Sequence, residues 1–210
     1  MPGDKGTLEL SPRWKPGAEG YVGDVAVLSR EEFDAIEFNA TLTGDHKSAA
    51  EQMTALAATG IQTDSMPRAE ALVRAGEQWL LADNPRAAAD GFREAIADGG
   101  HVDVDPRAAL CRALFQMGCS DEAYTLIETM RSEGRSDPGA CDMITELLLE
   151  QSDLEAALDW ATAGVELILQ GSGTQEAGSY DGLEDLLRLR YRIRNDMRLP
   201  EDEYDRMLSA

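Results

Sequence analysis

Along most of this chain apolar residues recur every three or four positions, the spacing of one face of an α-helix. Phe33, Ile36 and Ala40 share one such face, and Ala49, Met53 and Leu56 share another that runs up to Gly60. Thr43-Gly44-Asp45 separates the two, so the spacing predicts a helix pair with a tight turn. After Asp64 the pattern repeats. Leu72, Ala75, Gly76 and Trp79 form a stripe whose partner carries Ala88, Phe92 and Ala95. Leu110, Cys111 and Leu114 precede Ala123, Ile127 and Met130, with Gly118 at the turn. Cys141, Ile144, Thr145 and Leu148 precede Ala157, Ala161 and Gly164. No segment reads as a convincing strand, so the fold class is all-α.

Start signals agree with these stripes. Ser29 and Glu32 make a capping box, in which hydroxyl and carboxylate each satisfy an orphan amide. Asn84-Pro85, Asp105-Pro106 and Asp137-Pro138 each supply a cap followed by a first-turn proline. The alanines Ala88, Ala123 and Ala157 fall 35 and then 34 residues apart. The chain divides accordingly. Residues 1–28, rich in Gly and Pro, form an extended or loosely docked arm that Trp14 and Tyr21 pin to the body. Residues 29–62 form a degenerate helix pair, and residues 63–170 form three repeats. A loop follows at 171–179. Capping helices fill 180–210, the first with Leu183, Leu186, Leu187 and Ile193 inward, the second from Pro200 to Met207 and Leu208.

Spacing and residue size over about 66–170 resemble the tetratricopeptide repeat. Gly76, Cys111 and Thr145 fall where that family keeps a small residue at the helix crossing, and Ala88, Ala123 and Ala157 fall on its alanine. Leu72, Arg107 and Cys141 stand where it favours Trp, its repeat-end proline is displaced, and the pair at 29–60 fits loosely. The resemblance implies an antiparallel helix-pair solenoid, since each pair must stack on neighbours to bury its apolar face. It also implies a concave groove lined by the first helix of each pair. Here that lining is Glu70, Val73, Glu77 and Leu80, then Ala108, Arg112, Phe115 and Gln116, then Asp142, Glu146, Leu149 and Glu150. The family's Lys/Asn clamp for acidic chain termini is missing, so the groove suits a basic or amphipathic peptide.

Charge sharpens that expectation. The formal net charge is −21 and the sequence pI about 4.3, which disfavours phosphate backbones and anionic lipid and favours basic clients, or serves solubility alone. Between Arg135 and Arg188 there is no Lys or Arg but there are twelve acids; then come Arg188, Arg190, Arg192, Arg194 and Arg198. Two readings stay open. Either the arginine helix neutralises the acidic repeat beside it, or the surface is dipole-like, with separate faces for basic and acidic clients.

The N-terminus lacks the apolar core of a signal peptide, no run approaches the roughly 20 apolar residues of a membrane span, and Cys111, Cys119 and Cys141 show no paired spacing. They read as reduced thiols in a cytoplasmic protein. Lysine is confined to Lys5, Lys15 and Lys47, a bias towards Arg that points to a GC-rich bacterial genome.

Catalysis finds little footing. His101, Asp103 and Asp105 alternate as a metal site would want if extended, but Asp105 is better placed as a helix cap. His46 is the only other histidine. Neither a phosphate loop nor a nucleophile elbow is present. Cys119, at a turn, is the thiol expected to be exposed, with no basic neighbour to activate it. The expectation is a non-enzymatic protein-interaction module without catalytic, cofactor or metal residues. A client-specific chaperone or regulatory subunit masking an apolar segment, and a scaffold self-assembling through the Ser29 end or the arginine helix, are the alternatives.

Overall fold

The computed structural model describes residues 21–22, 25–26, 29–59, 66–134, 137–171 and 181–208. Among them lie ten α-helices: α1 (Arg30–Thr43), α2 (His46–Thr59), α3 (Arg68–Leu81), α4 (Pro85–Asp98), α5 (Pro106–Gln116), α6 (Ser120–Glu133), α7 (Pro138–Glu150), α8 (Leu154–Gly171), α9 (Asp181–Asp196) and α10 (Glu203–Met207). Tyr21–Val22 pairs antiparallel with Val25–Ala26, and this second pair lies against α2. The expected arm at 1–28 and loop at 171–179 otherwise fall outside the described residues, except that Gly171 closes α8.

Helix starts follow local chemistry. The Asn84 side chain accepts from the Ala87 amide, Asp105 from Arg107 and Asp137 from Ala140, each with proline in the first turn. Asp137 also accepts from the Asp105 amide at 2.8 Å, so one carboxylate caps α7 and ties the start of α5 to it. The Ser29 hydroxyl accepts from the Glu32 amide at 3.4 Å. Among the described residues the reciprocal half of that capping box is not made; the complete one is at α10. There Asp202 accepts from the Tyr204 and Asp205 amides, and Asp205 accepts from the Asp202 amide. This cap moves the start of the last helix to Glu203, past the expected Pro200.

Consecutive helices pack on one another except α6 and α7, whose backbones barely approach, and α3, α5, α7 and α9 also touch in sequence. Four buried clusters relay the core, the last of them Val165, Ile168, Leu186 and Leu187 between α8 and α9. Phe33, Met53, Leu72 and Ala75 join α1 to α3; Phe92, Leu110, Leu114 and Ala123 join α4 to α6; Cys111, Ile127, Ile144, Leu148, Trp160 and Ile193 join α5 to α9. Ala88, Ala123 and Ala157 are all fully buried, as are Cys111 and Thr145 at the expected crossings.

The connections α3–α4, α5–α6, α7–α8 and α9–α10 are one turn used four times. Asp83, Gly118, Ser152 and Arg198 have φ between 56° and 73°. The amide of each donates three residues back, to the carbonyls of Leu80, Phe115, Leu149 and Asn195. The next amide reaches five back, to Trp79, Leu114, Leu148 and Arg194. The sequence marks only Gly118 as suited to such a left-handed position. The other three lie where the chain doubles back, within three residues after α3 and α7 and within six after α9.

Candidate functional site

Offsets of 35 and 34 residues bring the expected lining of α3, α5 and α7 into rows across adjacent helices. Glu77, Arg112 and Glu146 form one row, with Arg112 Nη2 at 3.8 Å from Glu146 Oε2. Leu80, Phe115 and Leu149 form the row beside it, all half-buried. Phe115 borders two core clusters, with Leu80 packed on one and Leu149 on the other, and it meets Tyr124 edge to face at 5.5 Å.

Glu77 reaches solvent, but neighbouring helices crowd it. Lost hydration, then Glu37 and Glu70, raise its carboxyl pKa against the pull of Arg74 and Arg112. Asp142 is raised likewise, by burial first and then by Glu146 and Asp185. In both, loss of hydration outweighs the charges around the carboxyl.

The other lining residues differ in role. Glu70 is mostly buried and held by Arg30 at 3.7 Å. Val73 is half-buried, and Gln116 and Glu150 are exposed at the ends of α5 and α7. Ala108 is not part of the lining. It is fully buried, because α5 lies among α3, α4, α6 and α7 and buries seven residues around most of its girth. Arg74, absent from the expected set, borders the same face. Its Nη2 donates to Asp34 at 2.6 Å, its Nε to Glu37 at 2.9 Å, and the guanidinium stacks on Phe33. Its signal in the sequence is an arginine within the otherwise apolar stripe of Ala71, Leu72 and Ala75.

The arginines of α9 do not neutralise the acidic repeat. Arg190 Nη2 donates to Asp202 at 2.5 Å and Nη1 to Asp205 at 3.3 Å; Arg194 Nε donates to Asp205 at 2.9 Å. Both reach forward to α10 and its cap, and Arg190 Nε also donates to the Thr162 hydroxyl of α8 at 2.9 Å. Arg188 pairs with Glu184 of its own helix. The acids of α7 keep Arg112 alone as an ion-pair partner among the described residues.

Elsewhere, His101 Nε2 and Asp103 Oδ1 stand 3.8 Å apart, both highly exposed. Asp105 is committed to its cap and to Arg107. Among the described residues no three His, Cys, Asp or Glu side chains gather as a metal would require. Burial pushes the Cys111 and Cys141 thiols up to about 12, and Cys119 is the exposed one. No described helix is long and apolar enough to cross a membrane. No family model matches the chain, and no match is found among curated proteins or solved structures.

Proposed function

We propose that this chain is a non-catalytic, tetratricopeptide-like solenoid that binds a basic or amphipathic peptide across α3, α5 and α7. The observation that carries the reading is the row Glu77, Arg112, Glu146, in which Arg112 pairs loosely with Glu146 at 3.8 Å and the carboxyls of Glu77 and of nearby Asp142 are raised. The adjacent half-buried Leu80, Phe115 and Leu149 give apolar side chains a place to dock. The contacts along α3, α5, α7 and α9 support the solenoid. Reversing both acids, Glu77→Arg with Glu146→Arg, turns the row wholly positive. Like charges then face the ligand, and affinity for a Lys/Leu probe peptide in fluorescence anisotropy is expected to fall at least roughly tenfold. The far-ultraviolet dichroism should not change, since both side chains are exposed. Unaltered affinity would remove the groove.

A second reading, self-assembly, is favoured by α1. Phe38 and Leu42 are 67% and 69% exposed, one turn apart, on the side of α1 away from its buried Phe33 and Ala40. If this end is an interface, light scattering will show mass rising with concentration, and Phe38→Glu with Leu42→Glu will hold the chain monomeric. A wild type that stays monomeric throughout refutes it.

A further inference from the structure

Helices α1, α3, α5, α7 and α9 form a row. Phe33, Arg74 and the Arg30–Glu70 pair join α1 to α3, and the later members touch in sequence. Each inner helix has a neighbour on both sides, whereas the described residues give α1 and α9 one each. The two outer faces differ in charge. On α1, Glu31, Asp34, Ala35, Phe38 and Leu42 recur at three- and four-residue spacing and are all exposed. No Lys or Arg occurs between Arg30 and Lys47, and Asp34 shares its one partner, Arg74, with Glu37. On α9, Arg188, Tyr191, Arg192 and Asn195 make a similar exposed stripe, away from buried Leu186 and Ile193. The acids Glu184 and Asp185 lie a turn earlier. Arg190 and Arg194 are occupied by Asp202 and Asp205. Arg192 has no ion pair among the described residues, and Arg188 has only its exposed pair with Glu184, of a kind that contributes little.

Pairing either face with itself sets like charges together. Pairing one with the other brings carboxylates to guanidiniums and lets Phe38 and Leu42 meet Tyr191 and the exposed Leu199. Such a contact is heterologous, so it leaves an unused α1 and an unused α9 at the two ends and continues past a dimer. We infer that copies of this chain associate head to tail, the outer face of α1 docking on the Arg188–Asn195 face of α9 in the next copy. The inference rests on the self-association reading of α1 and adds to it the surface that α1 meets.

Two full-chain variants test it in light scattering. Phe38→Glu with Leu42→Glu blocks the α1 face, and Tyr191→Glu with Arg192→Glu blocks the α9 face. All four side chains are exposed, so both variants are expected to keep the wild-type dichroism. The wild type should grow past the mass of a dimer as concentration rises. Each variant alone should stay a monomer. An equimolar mixture of the two should form a one-to-one dimer and grow no further, because one intact joint remains. Arg192→Glu alone should weaken wild-type association several-fold, and Arg192→Lys should not. An α9 variant that associates as the wild type does would mean that α1 pairs with itself, which overturns the inference and leaves the α1 reading standing. A mixture that stays monomeric, a wild type that stops at a dimer, or undiminished association of Arg192→Glu would overturn it as well. A wild type that is monomeric at every concentration removes the inference and the α1 reading together.

Discussion

Replacing Asp205 with alanine is expected to destabilise the C-terminal end by about 3 kcal/mol, the scale for removing one partner from a buried ion pair. Asp205 and Arg190 are 3% and 5% exposed, and Asp205 also holds Arg194 and the Asp202 amide. Without it, Arg190 and Arg194 compete for Asp202 alone and the cap of α10 loses its reciprocal bond. A five-residue helix has little stability of its own. It should detach and expose the contacts of Tyr204 and Leu208 with Val165, Ile168, Leu186 and Leu187. A lower urea midpoint, with faster amide exchange confined at first to α9 and α10, is the expected signature; an unchanged midpoint would refute it. The same knot gives an acid limb. The hydrogen bond from Arg190 holds the Asp202 carboxyl down at about 2, against an ordinary value near 4. A carboxyl depressed in the folded state stabilises fully above its unfolded pKa. That contribution is therefore whole above about pH 4 and is lost as pH falls towards 2.

Gly76→Ala is expected to destabilise as well, although alanine in a helix interior ordinarily gains about 1 kcal/mol over glycine. A Cβ at Gly76 would stand 2.5 Å from the Phe92 ring, and that ring is fully buried with nowhere to turn. Overpacking of this kind costs about 1–3 kcal/mol beyond the helical gain. Thermal unfolding of Gly76→Ala and of Gly76→Ala with Phe92→Leu provides the check. The second change should restore much of the loss, because a smaller side chain opens the crossing of α3 and α4. Equal losses in both variants would place the strain elsewhere.

The helices were legible because their signals are local. Asn84-Pro85, Asp105-Pro106 and Asp137-Pro138 announce their starts within two residues, and the small residues Gly76, Ala88, Ala123 and Ala157 mark the crossings. The rows of the candidate site combine the repeat spacing with the groove that the tetratricopeptide resemblance implies. What escaped depends on contacts distant in the chain or on how crowded a helix is. Arg190 and Arg194 lie next to an acidic stretch, but rotation of α9 turns them towards Asp202 and Asp205. Arg74 reads as an ordinary helical arginine until Asp34 and Glu37 of α1 are set against it. Ala108 has the right position for the lining, yet α5 is enclosed on so many sides that no alanine there reaches solvent.

Packing of most helices against the next in the chain bears on how the molecule is made. The chain need close only short loops before each contact forms, so little entropy is lost ahead of each gain. Such architectures fold quickly for their length. Helices α1 and α2 can pack before α9 and α10 exist, and an end can open and close again without unravelling the middle. As the chain leaves the ribosome, the part already synthesised can acquire its shape in order, from the first pair to the last.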